Sequence, residues 1–418
     1  MLTRYTVCCS FECLRFTNFL SQPHLESVQA LLVIGNVLSN NMNAGTAWSL
    51  LGLTIRLAQG LGLHRNCPPH VATETVTPRS KVWWAIIWQD SLIAITYDRA
   101  SATTAGGTHT MPMPQTFTPI GAYHAVMYPL FRVGLDIVRA RATAPTSPHD
   151  FHARILHQRD EITHILRDAP DYLHDSRLCT STRDTLEHWG LYLHSSYMLS
   201  ELYRPALSPS QHPDITAAFK QPCIDHLTNT VEAYIGLANI TAFARQSWAA
   251  LHRALSSALL LAILGEHHRN ERARRLIARF VDVAEAVHHW PGSAGGGSSS
   301  PQDVSAPVQR GIAALRKLNI VTSNGGSCSV GAEDGVDIDG RMAADGSSKA
   351  SYEALLFTPP STNGSGTGTG TTALEGGEDH SPYEVLNAIL WGKGDVKGGD
   401  ACGVKALYEG YPIFRAGR

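Results

Sequence analysis

The sequence lacks an apolar run long enough to span a membrane, and it lacks an excess of charge of either sign. The best candidate for a span, residues 82–97, is interrupted by Gln89, Asp90 and Ser91, whereas a spanning helix needs about 20 mostly apolar residues. The formal net charge is −2 over 418 residues, which excludes a chain-wide basic surface for nucleic acid or anionic lipid. We therefore expect no membrane partner.

Cysteines are also few, and most of them are isolated. The eight cysteines suit a reducing compartment better than a disulfide-rich secreted scaffold. Cys8, Cys9 and Cys13 lack the spacing of a zinc knuckle, and no second cysteine pair follows them. The adjacent histidines at 267–268 and 288–289 would point to different faces of a helix, so neither pair offers two ligands to one metal. The sequence predicts no metal and no cofactor on this chain.

Sequence motifs of common enzymes are missing as well. The chain has no H-E-x-x-H, no G-x-S-x-G and no G-x-x-x-x-G-K-S/T pattern. The glycine-rich run that begins at Gly364 lies in low-complexity sequence with no preceding strand. Paired carboxylates such as Asp184 and Glu187 are more typical of a solvated helix face than of acid–base catalysis. We expect no catalytic residue, and an α-helical enzyme is the weakest hypothesis for function.

What the sequence does contain is helical periodicity, which recurs from residue 24 to about 290. Apolar stripes with helical spacing begin at Trp48, Leu227, Trp248 and Leu276. Their steps of three and four residues keep each stripe on one side of a helix, and no strand-like alternation flanked by turns is found. The predicted fold class is all-α, with roughly eight to ten helices in a multi-helix domain.

Helix ends are marked by proline and glycine. Thr77 and Pro78 resemble an N-cap followed by proline at the first helical position. Gly60 and Gly62 mark the expected end of the helix that carries Trp48.

The helix from about residue 79 to 97 is apolar on every side, which predicts a position at the domain centre. Asp90 would then be buried and would need a cationic or hydrogen-bonding partner. Arg99 is the nearest candidate in the sequence, and a structural ion pair is the preferred interpretation.

Composition divides the chain into an ordered body and a tail. The expected parts are an N-terminal flank (1–20), the helical domain (21–290), a flexible linker (291–307), a short helix (308–322) and an acidic tail (323–418). The tail is rich in glycine and serine and has too little apolar surface to offset its ordering entropy. We expect it to be disordered.

Two segments of the tail alternate acidic and bulky apolar residues, as activation domains do. An ordinary sticky tail is an equally good interpretation of the composition. The residues expected to contact a partner are Tyr352, Leu355, Phe357, Tyr383, Leu386, Leu390 and Trp391.

A basic cluster precedes and overlaps the stripe at Leu276. A nuclear-import or phosphate-contacting patch is one interpretation, but Glu271 four residues before Arg275 favours a solvated helix face. The cluster consists of Arg269, Arg272, Arg274, Arg275 and Arg279.

A series of short motifs follows in order through residues 25–99. They are Leu25-Glu-Ser-Val-Gln-Ala-Leu-Leu, Ala47-Trp48 with Gly52, Ile55-Arg-Leu-Ala, Gly60-Leu-Gly-Leu-His-Arg65, Arg79-Ser-Lys-Val-Trp-Trp84, Trp88-Gln-Asp90 and Tyr97-Asp-Arg99. In this order and spacing, the stretch from about 19 to 100 resembles the middle-homology, or regulatory, region of fungal zinc-cluster transcription factors, in the version named after the xylanolytic activators. Leu202-Tyr-Arg-Pro205 is similar to a later Leu-His-Arg-Pro motif of that family. The signature residues are Trp48, Arg56, Gly62, His64, Arg65, Arg79, Trp83, Trp84, Asp90 and Arg99.

The resemblance implies a nuclear regulator of RNA polymerase II transcription with transcriptional coactivators as partners. It leaves a homodimer and a small-molecule effector open. In the family a six-cysteine cluster, with C-x2-C-x6-C twice, binds two zinc ions and reads DNA. No such pattern occurs here, so no zinc ligand or base-contacting residue is assigned. DNA contact is expected only through a zinc cluster that is missing from this chain or lies on a partner. Ala100 also replaces a proline that the family commonly has.

A helical interaction scaffold without a transcriptional role is the competing hypothesis. Trp48-Ser-Leu-Leu51-Gly52 matches the opening of a tetratricopeptide repeat. There is no recurrence at about 34 residues, and a solenoid needs several stacked units to bury its faces.

Overall fold

The structure is a computed structural model that describes residues 2–40, 44–67, 72–97, 99–103, 121–143, 147–209, 211–241, 247–286, 306–317 and the single residue Leu386. These residues form α-helices and 3₁₀ turns and contain no strand. The helices are α1 Leu2–Phe16, α2 Leu25–Asn40, α3 Ala44–Gly60, α4 Thr73–Tyr97, α5 Ala122–Arg141, α6 Pro148–Arg167, α7 Asp171–His174, α8 Thr182–Tyr203, α9 Pro213–Ile240, α10 Trp248–Ile263, α11 Glu266–Arg269, α12 Glu271–Ala286 and α13 Ala306–Lys317. The all-α prediction is confirmed, and α7 and α11 are single turns of four residues.

Helices α8 and α9 share the most extensive helix–helix contact among the described residues, and α10 packs along α9. Helix α4 packs against α3 and α5 and also reaches α10. The stripe that starts at Trp248 predicts one buried side, but all residues of α10 are buried. Neighbouring helices therefore cover α10 on every side, which makes it the innermost element of the domain.

The turn after α3 is closed by backbone hydrogen bonds to the last carbonyls of the helix. The Leu63 N–H donates to the Ala58 carbonyl and the Gly62 N–H to the Gln59 carbonyl, both at 3.0 Å. Gly62 has a φ of 70°, a left-handed conformation in which a side chain is strained. The predicted helix end at Gly60 and Gly62 is confirmed.

The predicted start of α4 at Thr77 and Pro78 is wrong. The helix begins at Thr73, and Pro78 lies inside it. The Ala72 carbonyl already accepts hydrogen bonds from the N–H groups of Thr75 and Val76, at 2.9 and 3.2 Å. Pro78 removes one backbone hydrogen bond near the helix start, and the remaining bonds of this long helix hold the turn.

Both ends of the described chain pack onto the body. Residues 1–20, expected to be a flank, include α1, and Leu14 and Phe19 are buried in the common core. Helix α13 packs against α10 and buries Val308, Ile312 and Leu315. The predicted linker and tail lie outside the described residues, apart from 306–307 and Leu386.

We expect Gly236→Ala to destabilise the protein. A Cβ at Gly236, on α9, would overlap with the indole ring of Trp189 on α8, and overpacking of a core contact costs roughly 1–3 kcal/mol. Gly52→Ala is the matched control, because a Cβ there meets nothing within 4 Å and alanine favours a helix by about 1 kcal/mol over glycine. Urea unfolding should move in opposite directions for the two variants, and equal shifts would contradict the close approach of α8 and α9.

Candidate functional site

The signature residues at the end of α3 anchor the start of α4. The Arg79 guanidinium donates from Nη2 to the Leu61 carbonyl at 2.7 Å. The ring of His64 lies 5.8 Å from that of Trp83, which is buried in the core. Burial and the charge of Arg65 lower the pKa of His64 below its ordinary value. This contact set fixes the turn that contains Gly62 against α4.

The remaining two residues of this part of the signature, Arg56 and Arg65, are exposed. Arg56 donates to the Gln59 side chain at 3.3 Å, and Arg65 donates to the His64 ring at 3.2 Å. Both contacts are local.

Asp90 on α4 organises the chain that follows the helix. Its carboxylate accepts hydrogen bonds from the Ser101 hydroxyl at 2.6 Å, the Thr103 hydroxyl at 2.7 Å and the Thr103 N–H at 3.0 Å. Asp90 is buried, as the sequence predicts, but the prediction that Arg99 is its partner is wrong. The short chain after α4 brings hydroxyl and amide donors to the carboxylate instead, and these compensate its burial.

Arg99 has a different role in the structure. Its guanidinium lies 4.5 Å above the ring of Trp48 on α3 and 5.7 Å from the ring of Tyr97. A cation over an aromatic face is attracted by the ring quadrupole. Arg99 therefore links the end of α4 to α3, and Trp48 is partly exposed on the outside of that contact.

The tryptophans of α4 pack into an aromatic cluster with α5. The ring of Trp84 lies 5.7 Å from that of Tyr128, and the ring of Trp88 lies 4.9 Å from that of Phe131. Both pairs are tilted, and their ring-centre distances lie in the range that aromatic pairs prefer. The cluster buries one side of α4, but the prediction that α4 lies at the domain centre is wrong, because α10 is the innermost helix and α4 borders the outer surface.

A shallow groove runs along the outer side of this region, between α2, α4 and α5. Its volume is about 550 Å³, and its apolar lining includes Leu32, Val33, Val82 and Tyr128. Val33 is 64% exposed.

A buried ionic cluster joins α5 to α8, and the motif around Leu202 forms part of it. The Glu201 carboxylate accepts hydrogen bonds from Arg141 at 2.8 Å and from Arg204 at 3.3 Å, and Arg141 also donates to the Glu201 carbonyl at 2.7 Å. Burial opposes ionisation of Glu201, but Arg204 and Arg141 outweigh it and hold its pKa below the ordinary value. Glu201 is therefore charged at neutral pH and neutralised by two arginines.

A second buried charge, Arg253 on α10, has no carboxylate bonded to it among the described residues. None of its surface is exposed. Nη1 contacts Nδ1 of His194, and the guanidinium lies 4.7 Å from the centre of the Tyr197 ring. Burial lowers the pKa of Arg253 to about 10, and the nearby Tyr197 and Glu201 offset part of that effect. Nε and Nη2 have no hydrogen-bond partner among the described residues.

Sequence reasoning missed Arg253, although a signal was present. Arg253 is the one charged residue in α10, and no acidic residue of that helix stands beside it. The stripe counted from Trp248 predicts an uncovered side of α10 where an arginine would reach solvent. Because α13 and the other neighbouring helices cover α10, the arginine lies in the core.

The basic cluster on α11 and α12 is a solvated surface. Arg274 and Arg275 lie 2.6 and 3.6 Å from Glu271, and Arg272 lies 2.5 Å from Glu232 on α9. All five arginines of the cluster are exposed. The preferred interpretation of this cluster as a solvated, ion-paired face is confirmed for these three arginines.

The histidines at 267–268 do not diverge as predicted. Their ring centres lie 3.8 Å apart, although His267 is buried and His268 is exposed. The single turn of α11 allows both side chains to lean the same way. Within the described ranges no group of three histidine, cysteine or acidic side chains could hold a metal ion, and 288–289 falls outside them.

Of the residues expected to contact a partner, only Leu386 is among those described. It is 6% exposed and belongs to the common apolar core. Tyr352, Leu355, Phe357, Tyr383, Leu390 and Trp391 lie outside the described residues.

We expect the domain to lose stability on mild acidification. Burial and the Arg253 charge hold the pKa of His194 well below its ordinary value and that of His252 at about 4. The unfolded chain binds protons near pH 6.5, so stability is full above that pH and falls between about 6.5 and 4. For a histidine with a folded-state pKa of about 4, such as His252, the free energy of unfolding falls by about 2 kcal/mol between neutral pH and pH 5. Urea unfolding at pH 7.5 and pH 5.0 measures the loss.

His252→Gln should reduce this pH dependence, whereas His149→Gln should leave it unchanged, because His149 is exposed. A pH dependence that is the same in both variants would contradict the burial of a neutral His252.

Comparison with known proteins finds a family match for the part of the chain that contains the signature. Residues 12–121, which include all ten signature residues, match the fungal specific transcription factor domain. An uncharacterised transcriptional regulatory protein of Schizosaccharomyces pombe is 32% identical over 73 residues, which are 17% of this chain and 9% of that protein. The sorbicillinoid biosynthetic cluster transcription factor 2 of Penicillium rubens is 24% identical over 220 residues, which are 48% of this chain and 32% of that protein.

The chain thus spans about a tenth and a third of the length of these two curated relatives. No solved structure matches the chain. No helix among the described residues is long and apolar enough to cross a membrane. The resemblance that the motifs of residues 25–99 indicate is confirmed by the family match.

Proposed function

We propose that this chain is the regulatory part of a fungal transcription factor that acts in the nucleus on RNA polymerase II transcription. The observation that carries the proposal is the match of residues 12–121 to the fungal specific transcription factor domain. The names of both relatives, a transcriptional regulatory protein and a transcription factor, support the same role. The matched domain is that of a transcription factor rather than of an enzyme.

DNA contact, in this proposal, comes from a zinc cluster outside this chain or on a partner. The exposed arginines of α12 support this assignment, because Arg272, Arg274 and Arg275 are engaged by acidic side chains and offer little free positive charge to phosphates. An electrophoretic mobility assay with promoter DNA tests it. The purified chain should give no shift at moderate salt, and a zinc-dependent, sequence-selective shift would overturn the assignment.

The tail would supply the output of the regulator by binding a transcriptional coactivator. Its two acidic and apolar segments have the composition of helices that fold into a partner's groove. The burial of Leu386 in the common core supports a second step: the helical body holds Leu386, so that this apolar residue cannot contact a coactivator. Regulation would then be a competition between the body and the coactivator.

A reporter assay tests this competition. We expect residues 323–418, fused to a heterologous DNA-binding domain in fungal cells, to activate several-fold more strongly than the whole chain fused in the same way. Leu386→Ala should raise the activity of the whole chain, because docking is weakened while Leu390 and Trp391 remain.

Leu355→Ala serves as the control, since it changes the other acidic segment and should not raise the activity of the whole chain. A silent fusion of 323–418 would overturn the coactivator proposal and favour a helical scaffold without a transcriptional role. Equal activity of the tail and the whole chain would overturn the masking step alone.

A further inference from the structure

Arg253 is a fully buried cation for which the described residues provide no carboxylate within ion-pair distance. The nearest acidic candidate, Glu201, is already bound by Arg141 and Arg204. Burial of a charge without a bonded counter-ion is costly, and Tyr197 and Glu201 offset only part of that cost here. A structural arginine at such a position would normally lie beside an acid, and Arg253 lies beside His194 and the face of Tyr197.

The open part of the guanidinium has a specific geometry. Nη1 is occupied by His194, whereas Nε and Nη2 have no partner among the described residues. The N–H groups of Nε and Nη2 point in parallel from one edge of the planar guanidinium. This edge matches the two oxygens of a carboxylate, which accepts two parallel hydrogen bonds from arginine.

A second unpaired polar group lies on the same face of α10. Ser257 is fully buried, and its hydroxyl has no partner among the described residues. It follows Arg253 by four residues, so the two side chains lie on one helix face, one turn apart. Ser256, in contrast, donates to the His252 carbonyl at 2.8 Å within the helix.

We propose that Arg253 and Ser257 form a binding site for the carboxylate group of a small anionic effector at the centre of the helical domain. Arg253 provides the charge and a two-point contact, and Ser257 provides a hydroxyl one turn away. The guanidinium also packs over the ring of Tyr197, 4.7 Å from the ring centre. Because Arg253 has no exposed surface, the helices around α10 must separate transiently to admit the ligand, and we expect slow association.

This inference deepens the proposed function, since it names the chemical class of the effector of the regulatory domain. The ligand would compensate a charge between α8 and α10 and would thereby stabilise one packing of these two helices. A ligand that binds one state more tightly shifts the population toward that state.

Thermal unfolding of the purified whole chain tests the site with sodium acetate and sodium succinate as probes. Sodium chloride at equal ionic strength is the reference, and inorganic phosphate tests whether a tetrahedral anion serves as well. We expect the carboxylates to raise Tm by several degrees and to saturate, and phosphate to have a smaller effect. Isothermal titration calorimetry of the better carboxylate gives its Kd.

Three variants decide whether Arg253 and Ser257 are responsible. Arg253→Lys keeps the charge but removes the two-point edge, and should weaken carboxylate binding at least tenfold. Ser257→Ala should weaken it several-fold, and Ser256→Ala, the matched control, should not change it. Circular dichroism checks that each variant is folded. If Arg253→Lys does not fold, Ser257→Ala still tests the site.

A wild-type Tm that responds to no carboxylate would overturn the site, as would equal responses in wild type and in the Arg253→Lys and Ser257→Ala variants. Equal responses to phosphate and to carboxylate would overturn the assignment of a planar ligand. Since neither assay involves DNA or transcription, failure of the site and failure of the transcriptional proposal are separate results.

Discussion

Replacing Glu201 by alanine is expected to lower the free energy of unfolding by about 3–5 kcal/mol, the range observed when one partner of a buried ion pair is removed. Glu201 is 6% exposed, and the substitution removes the buried carboxylate that accepts hydrogen bonds from Arg141 and Arg204. It also removes the negative charge that partly compensates Arg253. Urea unfolding monitored by circular dichroism measures the loss.

Glu271→Ala is the matched control for this substitution. Glu271 also pairs with arginine, at 2.6 Å from Arg274, but more than half of its side chain is exposed. Exposed ion pairs contribute about 0–1 kcal/mol. Equal effects of the two substitutions would mean that the Glu201 cluster is solvated rather than buried.

Asp90→Ala is expected to have the second largest effect, about 2–4 kcal/mol of lost stability. The carboxylate accepts three hydrogen bonds from Ser101 and Thr103, and bonds to a charged acceptor contribute about 1.5–3 kcal/mol each without being additive. The loss detaches residues 101–103 from α4. Arg99 lies two residues before Ser101, and its guanidinium should then move away from the ring of Trp48.

A double-mutant cycle with Thr103→Val distinguishes this role from a general packing defect. Thr103→Val alone removes the hydroxyl bond to Asp90 and should cost about 1 kcal/mol. In the Asp90→Ala background the same change should cost close to nothing, because its acceptor is gone. Simple additivity of the two substitutions would show that Thr103 and Asp90 act independently.

The sequence allowed the fold class and the helical body to be predicted, because both depend on local periodicity. Amphipathic spacing locates the helices, and glycine at a left-handed position locates the end of α3. The start of α4 could not be located, since a proline near a helix start is compatible with either position. Local patterns also carry no information on how α13 returns to cover α10.

The candidate site was predictable only in part, for a similar reason. The burial of Asp90 follows from its place on an apolar helix, but its partners do not. From the sequence, the opposite charge of Arg99 favours it as the partner of Asp90. In the structure, the chain after α4 places the hydroxyls of Ser101 and Thr103 within hydrogen-bond distance of the carboxylate instead. Arg253 has no bonded carboxylate because of the helices that surround α10. The spacing of residues within α10 does not predict which helices those are.

The docking of α13 on α10 fixes the point from which the tail departs. Lys317 ends that helix, and 68 residues lie between it and Leu386. If that stretch behaved as a random coil, its average end-to-end distance would be roughly 45 Å, and the effective concentration of a tethered segment would be on the order of 1 mM. An internal contact then needs only about 4 kcal/mol to be half occupied.

Burial of two or three side chains the size of leucine supplies that much. A coactivator present at a few micromolar would therefore need a micromolar Kd to displace a segment that is held by so few residues. In the proposed competition, shortening the chain between α13 and Leu386 would raise the effective concentration of the segment, so that a coactivator would need a lower Kd. The length of the tether would then set the sensitivity of the regulator.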